Sequence, residues 1–242
     1  MKKLLLASAG LCALALPAKA DDQSIIPGKF STTIGFTSEY SFRGIAQSNE
    51  HPAVQGSIDW TQSDDGGFYA GVWGSSIDFA DASLETDLYA GYSGKVDKFN
   101  YDIGGIYYLY PGTNGSEDFN YAEAALALGY DFDVFSVSGA LNYSPDYFAG
   151  SGDSLYSAAY VDVPLPFLPF ETALHGNFGH SEIQKNARFG TKDYSDWGIG
   201  ISSKIEGFDV SVKWIDTDLD EPSECADGCD GRIIAAISKT FP

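Results

Sequence analysis

The side chains best placed to act on a solute are carboxylates that recur on every second position. Asp59, Glu85, Asp87, Asp102 and Glu123 hold one phase of four alternating segments, and Asp162, Glu171, Asp196 and Asp209 hold the same phase of four more. Lys213 and His175 share that phase, and Arg43 follows the first segment in a Phe42-Arg43-Gly44 turn. A wall of carboxylates lowers the energy of a cation and raises that of an anion, the more so where water is scarce. These residues are the candidate lining of a path for small cations or neutral polar solutes. The same acids could instead share protons, or pair with Arg43 and Lys213, and fill an interior. Arg43 either reaches into that interior or pairs with loop acids or lipid phosphate. Tyr89, Tyr108, Tyr156 and Tyr160 lie on the same phase, where space-filling is the expected role rather than a stacking track.

Other chemistry is thinly supported. Cys225 and Cys229 fit a local loop disulfide in an oxidising compartment. A metal site is the weaker reading, because the usual C-x-x-C spacing and a nearby His are both missing. His175 and His180 have opposite parity, so one strand cannot bring them to one metal. No G-x-S-x-G elbow occurs. A Ser–His pair on an outer face, with His180 near Ser181, is the one enzymatic arrangement to weigh. The acidic run at 216–221 lacks the glycine and distal glutamate of a calcium loop. The chain is therefore expected to have no catalytic residues, no metal and no cofactor.

What would position the acids is a set of strands. Apolar or aromatic residues alternate with polar or small ones in about twelve segments of about ten residues, and such alternation makes two-faced strands. Phe99, Tyr101, Ile103, Gly105, Tyr107 and Leu109, for example, oppose Asn100, Asp102, Gly104, Ile106 and Tyr108. The phase of 68–76 is ambiguous. The links at 62–67, 94–98, 131–133, 164–169 and 204–207 are short. Those at 41–53, 75–83, 110–117, 144–152, 179–194 and 216–231 are long. Alternating short and long links imply antiparallel neighbours, with the long loops together at one end. Phe30, Trp60, Phe68, Tyr92, Phe99, Tyr130, Phe135, Phe170, Phe208 and Phe241 gather on the apolar phase near the short-link end, as an interfacial girdle does. The expected fold is all-β: a closed antiparallel transmembrane β-barrel of about twelve strands. It must close, because lipid tolerates no open sheet edge.

Residues 1–20 read as a signal peptide: Lys2-Lys3, an apolar core with Cys12 inside it, and Ala18-Lys19-Ala20 before Asp21. Residues 21–242 then form a single barrel domain. With 14 Lys+Arg against 34 Asp+Glu, the formal charge is −20, which argues against a nucleic-acid partner. No apolar stretch is long enough for a membrane helix. Outer-membrane lipids, lipopolysaccharide and small solutes are the expected partners, and the Gram-negative outer membrane the expected location.

Some stretches are more specific than alternation. Residues 39–48 (Glu-Tyr-Ser-Phe-Arg-Gly-Ile-Ala-Gln-Ser), 67–73, 85–92 and 107–112 resemble the TorF-type porin family, also known as Gcw_chp. The resemblance covers nearly all of the chain after the signal peptide, and implies an outer-membrane barrel acting as a porin. A departure is the C-terminus, where Pro242 follows the aromatic Phe241 with which such barrels commonly end.

Overall fold

The computed structural model describes residues 27–113 and 119–242. The expected signal peptide lies outside them. The described residues form strands β1 (Lys29–Thr37), β2 (Ser41–Phe42), β3 (Ile45–Ala46), β4 (Ala53–Thr61), β5 (Gly66–Phe79), β6 (Ala82–Val96) and β7 (Phe99–Leu109). There follow β8 (Tyr121–Asp131), β9 (Ser136–Ser144), β10 (Ser154–Pro164), β11 (Glu171–Ile183), β12 (Tyr194–Ile205), β13 (Phe208–Thr217) and β14 (Arg232–Phe241). All but β2 and β3 join one closed barrel in the order β1-β14-β13-β12-β11-β10-β9-β8-β7-β6-β5-β4, twelve strands in all. Each neighbour is antiparallel, and β1 closes the ring by pairing Thr32 with Phe241 on β14 and Phe30 with Trp60 on β4. No helix among the described residues is long and apolar enough to cross a membrane.

The alternation resolves into two faces. On β8, Tyr121, Glu123, Ala125 and Ala127 are buried while the residues between them are exposed. The outward set includes Phe36, Ile58, Val72 and Ala70, and β5, ambiguous in sequence, turns Tyr69, Gly71, Trp73 and Ser75 inward. Ile34, Ile58, Ile103, Leu141, Ile199 and Ile237 are all exposed in mid-strand, and Ile103 and Ile199 each expose 59% of their surface. So large a continuous apolar surface is foreign to a water-soluble monomer. It is what a lipid-facing wall requires. Most of the aromatic girdle is exposed at the short-turn end, with Trp60 partly covered. Lys239, also outward, lies 4.6 Å above the Phe208 ring, an amphipathic side chain at a boundary.

One expected long link is in fact tight. Residues 75–83 do not form a loop: β5 runs on to Phe79, β6 begins at Ala82, and Ala80 turns the chain with a φ of 50°. The reason is packing. Ile77 is buried, and the Phe79 ring meets Tyr110 and Phe148 edge-on at 5.7 Å each. Apolar contacts beyond the barrel rim keep both strands extended where loose loop was expected.

Candidate functional site

The chain between β1 and β4 does not stay outside the barrel mouth. Its β2–β3 hairpin turns at Arg43 and Gly44, both at positive φ (49° and 85°), the primed geometry that tight hairpins prefer. Glycine is required at the second position for more than its φ. A Cβ there would lie 2.4 Å from Thr217 Cγ2 and 3.0 Å from Asp196 Cβ. The hairpin tip is thus pressed onto β12 and β13. Replacing Gly44 with valine is expected to unseat it, so that trypsin cleaves after Arg43 in the variant while wild-type protein resists. Equal resistance in the two would refute this seating.

Contacts fasten the hairpin to the wall on several sides. Tyr40 OH donates to Glu85 Oε1 on β6 at 2.6 Å, and the Tyr40 ring packs on Trp73 at 5.4 Å. Phe42 meets Tyr108 on β7. Arg232 on β14 donates to Glu39 Oε1 at 2.6 Å and to the Gly44 carbonyl at 3.0 Å. Burial pushes the Glu39 carboxyl above its ordinary range, and the Arg232 hydrogen bond draws it partly back. From above, Ala46 N–H donates to the Gly228 carbonyl in the 218–231 loop, which the Cys225–Cys229 disulfide closes. That disulfide is the pairing expected of the two cysteines. Their sulfurs, though close to Glu221, are bonded to each other and so are spent as ligands.

Arg43 is the centre of the arrangement. Its side chain is 5% exposed, and Nη2 donates to Glu123 Oε2 at 2.7 Å. The guanidinium carbon lies 4.3 Å from the centre of the Tyr156 ring and 4.6 Å from that of Phe42. Glu123 Oε2 also accepts from Tyr108 OH and from Asn142 Nδ2, each at 3.2 Å. Around this pair the outer half of the lumen is packed: Tyr108, Tyr121, Tyr147 and Tyr194 are buried, with Tyr108 and Tyr121 stacked at 4.3 Å.

The other half differs. His175 and Asp162 keep 43% and 40% of their side chains exposed although both face inward, and inward Lys213 is exposed as well. The lumen there has room for water. His175 Nδ1 lies 2.5 Å from Asp162 Oδ1 and Nε2 lies 2.6 Å from Ser202 Oγ, a hydrogen-bonded chain across β10, β11 and β12. Asp59 accepts from Tyr89 OH and Ser57, and Asp102 from Tyr69 OH at 2.7 Å. Asp196, by contrast, is buried beneath the hairpin tip and accepts from Tyr156 OH and Asn177.

The expected lining therefore divides. Glu85, Asp87 and Glu123 are buried about the hairpin, as is Asp196 beneath its tip. Asp59, Asp102, Asp162, His175 and Lys213 face the wider half, where only Asp102 of the five is fully buried. Asp209 pairs with Lys204 at 2.9 Å near the short-turn end, and Glu171 is exposed at the start of β11. Sequence reasoning missed Lys204 and Arg232, two further inward cations. Extending the β12 phase one step past Ser202, and reading β14 one residue earlier, would have found both. His180 faces outward, away from His175. Its hydroxyl partner is Ser195 at 3.0 Å, not Ser181, which is buried on the inner face.

The family described as bacterial protein of unknown function (Gcw_chp) matches residues 20–241. No curated relative matches the chain. Among solved structures, the KdgM porin superposes with a TM-score of 0.56 at 13% identity, covering 88% of this chain and 99% of its own. The NanC porin gives 0.55 at 10% identity, covering 88% and 98%. The COG4313 outer membrane channel from Pseudomonas putida F1 gives 0.50 at 10% identity, covering 93% and 100%. At such identities the likeness establishes the fold, that of outer-membrane porins and channels.

Proposed function

The chain belongs to the Gcw_chp family of bacterial proteins, and from that premise we propose that it is a porin-like channel of the outer membrane, gated by the Arg43 hairpin, for small cationic or neutral polar solutes. Residues 1–20 direct export and residues 21–242 make the barrel. The reading agrees with the sequence resemblance to TorF-type porins. The observation that carries it is the Arg43–Glu123 pair, in which a loop residue is buried against the lumen wall. A hairpin that is no part of the barrel wall closes the outer half of the lumen, while inward side chains such as Asp162 and His175 in the other half stay exposed. The acidic wall gives the path its sign.

In planar bilayers with a potassium chloride gradient, the protein is expected to show brief openings whose reversal potential lies on the potassium side. A chloride-side reversal would overturn the proposed selectivity. The long acidic loops would meet lipopolysaccharide through divalent cations. The buried tyrosines of the outer half favour one second reading, a structural or adhesive barrel with a permanently sealed lumen. That reading predicts no current from folded protein under any condition.

A further inference from the structure

The cage around Arg43 leaves two buried carboxylate oxygens without a hydrogen-bond partner. Glu123 is 97% buried, since only 3% of its surface is exposed. Three donors crowd its Oε2, while Oε1 is buried without a hydrogen-bond partner. Asp87, on β6 and near enough for its charge to act on Glu123, leaves Oδ1 buried and unpartnered too. An orphaned buried carboxylate oxygen forgoes a charge-assisted hydrogen bond. The backbone explains the shortfall. Arg43 hangs from a hairpin whose tip is fixed by Thr217, Asp196 and Arg232, so it reaches Glu123 with Nη2 alone. A free guanidinium, with no backbone to obey, could engage both oxygens as a fork and still lie over the Tyr156 ring.

We infer that the Glu123–Tyr156 cage is a recognition site for guanidino-bearing solutes, and that Arg43 occupies it as a tethered stand-in which such a solute displaces. The inference rests on the channel reading and names a class of cation within it. Guanidinium is favoured over ammonium for two reasons. Its planar fork matches a carboxylate edge, and its weak hydration and flat face suit stacking on an aromatic ring. An ammonium of equal charge has neither property. Binding would exchange the closed hairpin contact for a solute contact, so that the solute promotes its own entry.

The test uses the whole barrel with methylguanidinium, and methylammonium as the control of equal charge. In wild-type protein, methylguanidinium is expected to raise the open fraction while methylammonium at the same concentration leaves it unchanged. In Arg43→Ala the cage is vacant, and methylguanidinium is expected to interrupt the current at concentrations about tenfold below those needed of methylammonium. The double variant R43A/E123Q should lose that difference. Equal action of the two cations on all three proteins would overturn the inference and leave the channel reading standing. Calorimetric titration of solubilised R43A with methylguanidinium needs no conduction. Heat in R43A and none in R43A/E123Q supports the cage even if no protein carries current, a result that would remove the channel reading. No heat in either removes the cage.

Discussion

Arg43→Ala is expected to raise the open fraction of the reconstituted channel by more than about tenfold, in single-channel recordings at fixed voltage. Removing one partner of a buried ion pair costs about 3–5 kcal/mol, because the other charge is left in low dielectric. Here the stranded charge would be Glu123, 3% exposed. The cost falls on the closed arrangement, where the hairpin keeps water from the carboxylate. Once the hairpin lifts, water reaches Glu123 and the cost is relieved. The guanidinium contacts with Tyr156 and Tyr147 are lost with the same substitution, at about 0.5–2 kcal/mol more. Since about 1.4 kcal/mol is a tenfold shift in an equilibrium, a smaller response would mean that Arg43 does not hold the hairpin shut. The Gly44 hydrogen bond to Arg232 and the Tyr40 bond to Glu85 remain, so the hairpin should still close intermittently.

The second large effect concerns the outer face. Ile103→Arg, at the middle of β7 on the outward phase, is expected to destabilise the barrel in lipid vesicles by about 2–4 kcal/mol, the cost of a cation near the bilayer midplane. Ser211→Arg, inward on β13 and only partly buried, should cost less than about 1 kcal/mol, because its side chain enters the wetter half of the lumen. Urea unfolding followed by heat-modifiable gel migration reads both. Were the apolar phase exposed to water, Ile103→Arg would change stability by no more than about 0.5 kcal/mol. A near-neutral Ile103→Arg would thus contradict membrane insertion itself.

The faces of the strands were plain in the sequence because a pleated strand spells its environment on alternate residues. Leu126 and Leu128 outside, Ala125 and Ala127 inside, need no coordinates to sort. Strand ends were less legible. Lys204 and Arg232 continue their strands' inward phase, but charged residues beside a turn read as turn. At 75–83, Ser75, Ser76 and Asp78 resemble a loop, and only the burial of Ile77 and the packing of Phe79 on Tyr110, distant in sequence, reveal two long strands. The hairpin was least legible of all. A loop that folds inward has no period, and its destination depends on partners such as Glu85, Glu123 and Arg232, which lie 45, 80 and 193 residues from the side chains they bind. The positive-φ Arg43-Gly44 pair signals a tight turn, yet nothing in that signal says where the turn sits. The disulfide was legible from spacing, since Cys225 and Cys229 can reach each other within one loop.

The most direct test of the gated barrel is to excise the hairpin. Residues 41–46 would be replaced by a short glycine link, folding confirmed by heat-modifiable migration, and ion currents compared with the wild type in planar bilayers. Steady cation-selective current through the excised protein, against brief openings of the wild type, is the predicted result. A folded excised barrel that carries no more current than the wild type would contradict the account, because something other than the Arg43 hairpin would then seal the lumen.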